Sequence, residues 1–73
     1  MIVREAEGMD LRFLRILAGE TQRELGRKVG RSQSWVHLIE AGYCIPSEDD
    51  KARIAAALQV STADIDWPES ASA

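Results

Sequence analysis

At 73 residues the chain has room for one small domain, whose core gives only modest stability unless dimerisation or close helix packing adds to it. The single cysteine, Cys44, excludes an internal disulfide and a cysteine-based zinc cluster, no apolar run reaches membrane-spanning length, and the first residues have no signal-peptide pattern; the chain reads as cytoplasmic, with no membrane partner. The net charge of -3 is low for a nucleic-acid binder, but residues 1–42 carry seven Lys/Arg against six Asp/Glu and residues 43–73 two against six, so the acidic excess lies in the C-terminal half.

Residues 1–8, MIVREAEG, read as an N-terminal arm. A first helix is expected over Met9–Ala18, with Asp10 in its first turn and Gly19 beyond its end; Leu11, Leu14 and Ala18 fall on its core face. Thr21 caps a second helix over about Gln22–Val29, and Glu24, three residues on, completes a capping box. Leu25 and Val29, four apart, share its buried face, and Gly30 follows at the position where a left-handed backbone costs little. Ser32 caps a third helix over about Gln33–Ala41, with Val36 and Ile39 inward, and Gly42 ends it. Two short amphipathic helices joined by a glycine turn match a helix-turn-helix, the motif that places its second helix in the DNA major groove.

Tyr43 to Pro46 read as a loop. Ser47 caps a fourth helix whose first turn holds Glu48, Asp49 and Asp50, where the helix dipole favours negative charge, and whose buried stripe is Ile54, Ala57 and Leu58. Ser61 with Asp64 forms another capping box, opening a short fifth helix around Ile65 that Pro68 stops. Residues 68–73 read as a disordered tail, which leaves residues 9–67 as the domain. No strand-like alternation is visible, so the expected fold is all-α with five short helices.

The stretches LRFLR (11–15), TQRELGRKVG (21–30), SQSWVHLIEAG (32–42), Pro46 and IAAALQVS (54–61) together resemble the Cro and phage-repressor type of helix-turn-helix (XRE-like) regulator. The likeness spans most of residues 9–66, and its specificity comes from several motifs recurring in order. It implies a compact lambda-repressor-like domain that binds double-stranded operator DNA, commonly as a homodimer.

Position by position, the resemblance gives Gln22 a phosphate contact at the head of the second helix, where free N–H groups and the positive dipole end favour an anion, and a role buttressing the recognition helix; the plainer alternative is an ordinary exposed glutamine. Gln33 and Ser34 match base-reading positions: glutamine pairs bidentately with adenine, and serine bonds to several bases. Leu38 matches another base-facing position, able to touch a thymine methyl, with Trp35 flanking it. Three readings stand for that apolar pair: packing on sugars and thymine methyls, Trp35 folding sideways into the core, or a face for a protein partner. His37 is exposed, either a DNA contact or a solvated residue. Arg31, in the turn, is the foremost phosphate contact among the basic residues; Arg23 and Arg27 fit a solvated face interleaved with Glu24 equally well. Ser32 completes the DNA-contacting set as cap of the reading helix. Arg15 and Glu40 match a structural salt bridge.

Three departures from the family pattern stand out. Glu20 replaces an apolar residue before the second helix, Gly26 replaces a common alanine, and Lys51 replaces a leucine. The acidic run Glu48–Asp50 reads as capping residues turned away from DNA. No nucleophile–base pair, phosphate loop or metal constellation points to an enzyme, and no cofactor is expected. The leading expectation is a sequence-specific transcriptional regulator, a repressor, dimerising through Ile65, Trp67 and their neighbours. The alternative is a protein-interaction module, such as an antitoxin or anti-repressor, using the Trp35/Leu38 face.

Overall fold

The computed structural model describes residues 9–68. The arm 1–8 and residues 69–73 of the tail lie outside them, so the readings made for those segments fall outside the described residues. In chain order the elements are β1 (Met9–Asp10), α1 (Leu11–Leu17), α2 (Gln22–Val29), α3 (Gln33–Ala41), α4 (Glu48–Leu58), a 3-10 turn at Thr62–Asp64 and β2 (Ile65–Asp66).

The capping chemistry fixes the ends of α2 and α3. The Glu24 N–H donates to Thr21 Oγ1 at 3.0 Å and the Thr21 N–H to Glu24 Oε1 at 2.9 Å, a reciprocal capping box. The Ser32 hydroxyl accepts from the Trp35 N–H at 3.0 Å and opens α3. Between them Gly30 adopts φ 77°, a left-handed turn that a side chain would strain. Gly26 serves another purpose: a Cβ there would lie 2.8 Å from the Arg31 carbonyl oxygen, so its bare backbone lets the α2–α3 turn close against α2.

The core is one cluster. Leu11 and Leu14 come from α1, Leu25 and Val29 from α2, Val36 and Ile39 from α3, Ile54, Ala55 and Leu58 from α4, and Ile65 from β2. Leu25 is fully buried, and Val36, Ile39 and Ile54 are 1% exposed, so the two central helices are held by their own apolar stripes.

Four of the expected helices are present, and the fifth is not. Ser61 and Asp64 do form a capping box, but the backbone leaves the helical region at Ile65 (φ -108°, ψ 133°). The segment then runs extended and pairs in parallel with β1, Met9 opposite Ile65 and Asp10 opposite Asp66. In this extended stretch Ile65 lies in the core at 4% exposure. The domain is therefore mostly helical with a small strand pair, rather than a five-helix one. Two helical details also differ from expectation. The first helix begins at Leu11 and ends at Leu17, so Ala18 is an exposed C-cap instead of a core residue. Ala55, and not Ala57, completes the buried stripe of α4; Ala57 is only partly buried.

Candidate nucleic-acid interface

The outer face of α3 is held at a fixed angle by a buried polar knot. Glu40 near the C-terminus of α3 accepts from Arg15 Nε at 2.6 Å and from Arg15 Nη2 at 3.2 Å. The same carboxylate accepts from Gln22 Nε2 at 3.0 Å. Arg15 Nη1 donates to the Glu20 carbonyl oxygen at 2.7 Å, which closes the network through the α1–α2 connection. The two charged side chains are 10% and 4% exposed. A bidentate guanidinium–carboxylate pair this dry is geometrically demanding, so α1, α2 and α3 are locked in one relative orientation. Gln22 is half-buried at the head of α2, its side-chain amide donating to Glu40.

With Val36, Ile39 and Glu40 inward, helical rotation turns another set of α3 positions out. Gln33, Ser34, His37 and Leu38 are all exposed, Leu38 at 41%. Ser32 is exposed with its hydroxyl oxygen occupied by the cap.

Trp35 lies differently. It is half-buried and packed against the core, and the Arg31 guanidinium carbon stands 4.8 Å from its ring centroid, a cation–π arrangement. Of the three readings for the Trp35/Leu38 pair, this placement corresponds to the sideways fold. The larger exposed apolar side chains lie elsewhere: Phe13, Ile16 and Leu17 on α1, and Tyr43 and Ile45 in the α3–α4 loop.

Arg31 itself is anchored. Its Nη2 donates to both Asp50 carboxylate oxygens, at 3.2 and 3.1 Å, while the side chain stays 45% exposed. Asp50 also accepts from the Ser47 hydroxyl at 3.1 Å. Burial pushes the Asp50 carboxyl up, but the Ser47 hydroxyl and the Arg31 guanidinium outweigh it and hold the carboxyl below its ordinary range. Glu24 is likewise held low, first by the Thr21 backbone N–H and then by the Thr21 hydroxyl.

The remaining charges sort by position. Lys28 pairs with Glu20, which gives the unusual Glu20 of the α1–α2 connection a partner on α2. Glu48 pairs with Lys51 at 3.3 Å and Asp49 with Arg53 at 3.2 Å along α4. Lys51 also lies 5.8 Å from the Trp67 ring centroid. Trp67 donates its indole N–H to the Thr62 carbonyl oxygen at 3.0 Å. Ile65, expected as a dimer contact, is consumed by its own core and offers nothing to a second chain.

Two shallow depressions meet beside the head of α2. One is lined by Arg12, Gln22, Arg23 and Gln33 among others, and the second by Arg12, Gln22, His37, Glu40 and Ala41. Sequence reasoning passes over Arg12. Its only sequence signal is its place three residues before Arg15, which puts it on the side of α1 that turns toward α2 and α3.

No helix among the described residues is long and apolar enough to cross a membrane. Comparison with curated proteins and with solved structures finds no match. The family model for a helix-turn-helix domain matches residues 8–67, most of the chain, and the protein belongs to that family of XRE-like DNA-binding domains.

Proposed function

We propose that the protein is a sequence-specific transcriptional regulator, a repressor, that binds double-stranded operator DNA as a homodimer. The observation that carries this reading is the outer face of α3: Gln33, Ser34, His37 and Leu38 stand exposed on a helix whose angle is fixed by the Arg15–Glu40–Gln22 knot. A rigidly mounted polar face is what base readout in a major groove requires.

In this reading Gln33 pairs with an adenine edge, Ser34 bonds to a neighbouring base and Leu38 meets a thymine methyl. Gln22 and the N-terminus of α2 take a backbone phosphate. Arg31 spends one nitrogen on Asp50 and offers its remaining N–H groups to a second phosphate, pre-oriented by the Trp35 ring beneath it. Two copies place their α3 helices in successive major grooves about 34 Å apart, and occupancy alone then excludes other proteins from the site. The low net charge keeps non-specific affinity weak, so binding depends on matched base contacts.

The competing reading, a protein-interaction module on the Trp35/Leu38 face, has less surface to use because Trp35 is turned inward under Arg31. The test is selection of a randomised duplex pool by the purified chain at low salt. A two-fold-symmetric motif whose enrichment fades as salt rises is the expected result. A folded protein that enriches no motif overturns the regulator.

A further inference from the structure

We propose that Arg12 of α1 is an additional DNA-backbone contact, a guanidinium mounted beside the head of α2 to take one phosphate. The inference rests on the DNA-binding reading and adds a contact from a helix outside the two-helix motif. Arg12 lines both depressions that flank Gln22, sharing one with Gln33 and the other with His37. It therefore stands on the side where the exposed face of α3 is presented.

Its charge is uncompensated by any described residue. Arg12 makes no ion pair or side-chain hydrogen bond among them. The acids that line the two depressions are already engaged: Glu40 by Arg15 and Gln22, and Glu20 by Lys28. Arg15, on the same helix, is consumed by Glu40 and the Glu20 carbonyl. The capping box occupies the Glu24 N–H and leaves the Gln22 and Arg23 N–H groups at the head of α2 without a described acceptor. An exposed guanidinium lining the same depression as Gln22 and Arg23 is complementary to a phosphodiester, whose oxygens accept from a planar fork bidentately. Because the Arg15–Glu40 pair fixes α1 against α3, Arg12 is set in register with the reading helix.

The experiment measures affinity for the duplex motif recovered by selection, and for a scrambled duplex, across a salt series with the full chain and its Arg12→Gln and Arg12→Lys variants. Thermal melts accompany each variant; Arg12 is exposed, so they are expected to match the parent. Arg12→Gln is expected to weaken both duplexes alike and to reduce the slope of log affinity against log salt by about 0.9 per bound subunit, while Arg12→Lys keeps the slope. A folded Arg12→Gln variant with the parent's slope overturns the inference and leaves the regulator standing. A loss confined to the matched motif also overturns it, since that is base readout. A parent chain that binds neither duplex overturns the regulator and this contact together.

Discussion

The Arg31 guanidinium covers the Trp35 ring at 4.8 Å while donating to both oxygens of the Asp50 carboxylate. The α2–α3 turn, the first turn of α3 and the first turn of α4 are thereby tied through three side chains. Trp35 is half-buried, so its truncation removes packing as well as the cation–π contact. Trp35→Ala is expected to lower the unfolding free energy by about 1–3 kcal/mol, short of the 3–5 kcal/mol typical of a fully buried aromatic. Urea unfolding followed by far-UV circular dichroism checks this. An unchanged midpoint means that the ring is not anchored.

The Glu40 carboxylate carries a heavier load, since Arg15 and Gln22 both donate to it from other helices. Glu40→Ala strands a buried guanidinium and an amide donor. The expected cost is about 3–5 kcal/mol, comparable with the whole stability of a small domain. The variant's melting temperature is expected to fall steeply, with partial unfolding at 37 °C. A double change, Arg15→Leu with Glu40→Leu, is expected to recover much of that loss, because removing both charges lifts the desolvation penalty. Equal melts for the single and double variants contradict this account.

Acid should loosen the α2–α3 turn through Asp50. Its carboxyl is held below the ordinary value of 3.8, so the unfolded chain binds this proton more tightly than the folded one. The group's contribution is thus present above the unfolded value and is lost as pH falls through the lower folded one. Asp50→Asn is expected to be less stable than the parent at pH 7 and to show a shallower loss of stability between about pH 5 and pH 2. Parallel stability-against-pH curves for the two proteins refute the role given to Asp50.

The ends of α2 and α3 are legible in the sequence because their punctuation is local. Thr21 with Glu24, Gly30, Ser32 and Gly42 each act within three or four residues, and each sits where the helix bounds require. The fifth helix fails for the opposite reason. Ser61 and Asp64 do cap a turn, but the path of the chain from Ile65 onward is decided by pairing with Met9 and Asp10, more than fifty residues earlier, and two-residue strands have no periodicity to read. Arg31 shows the same limit at the candidate site. Its partner Asp50 lies 19 residues away and looks, in sequence, like an ordinary acid in a helix's first turn. Arg12 escapes notice because a single exposed arginine on a first helix has no pattern until the fold sets it beside Gln22.

If α3 reads bases, Gln33 is the residue with most to lose. It is exposed at the start of α3, beside Gln22 and Arg12. Gln33→Ala is expected to cost about 1–3 kcal/mol of binding to the selected motif and to relax the preference at one base pair per half-site, while stability stays unchanged. Competition binding against single-base variants of the motif measures both. Unaltered affinity and preference remove Gln33 from the reading set.

Gly26 sets propensity against packing, and the geometry says which prevails. An alanine inside an exposed helix gains up to about 1 kcal/mol over glycine. Here the added Cβ would stand 2.8 Å from the Arg31 oxygen and 2.9 Å from the Ser32 oxygen, both of them backbone atoms that cannot swing aside. The turn would have to move outward, carrying the Ser32 cap and the start of α3 with it, and stretching the 2.7 Å bond from the Arg31 N–H to the Gly26 carbonyl. Gly26→Ala is therefore expected to lower the melting temperature in spite of its better propensity. Hydrogen exchange should show the loss concentrated at the Arg31 and Trp35 amides. A raised melting temperature would mean that the turn relaxes freely, and that the close approach at Gly26 is not what fixes the angle between α2 and α3.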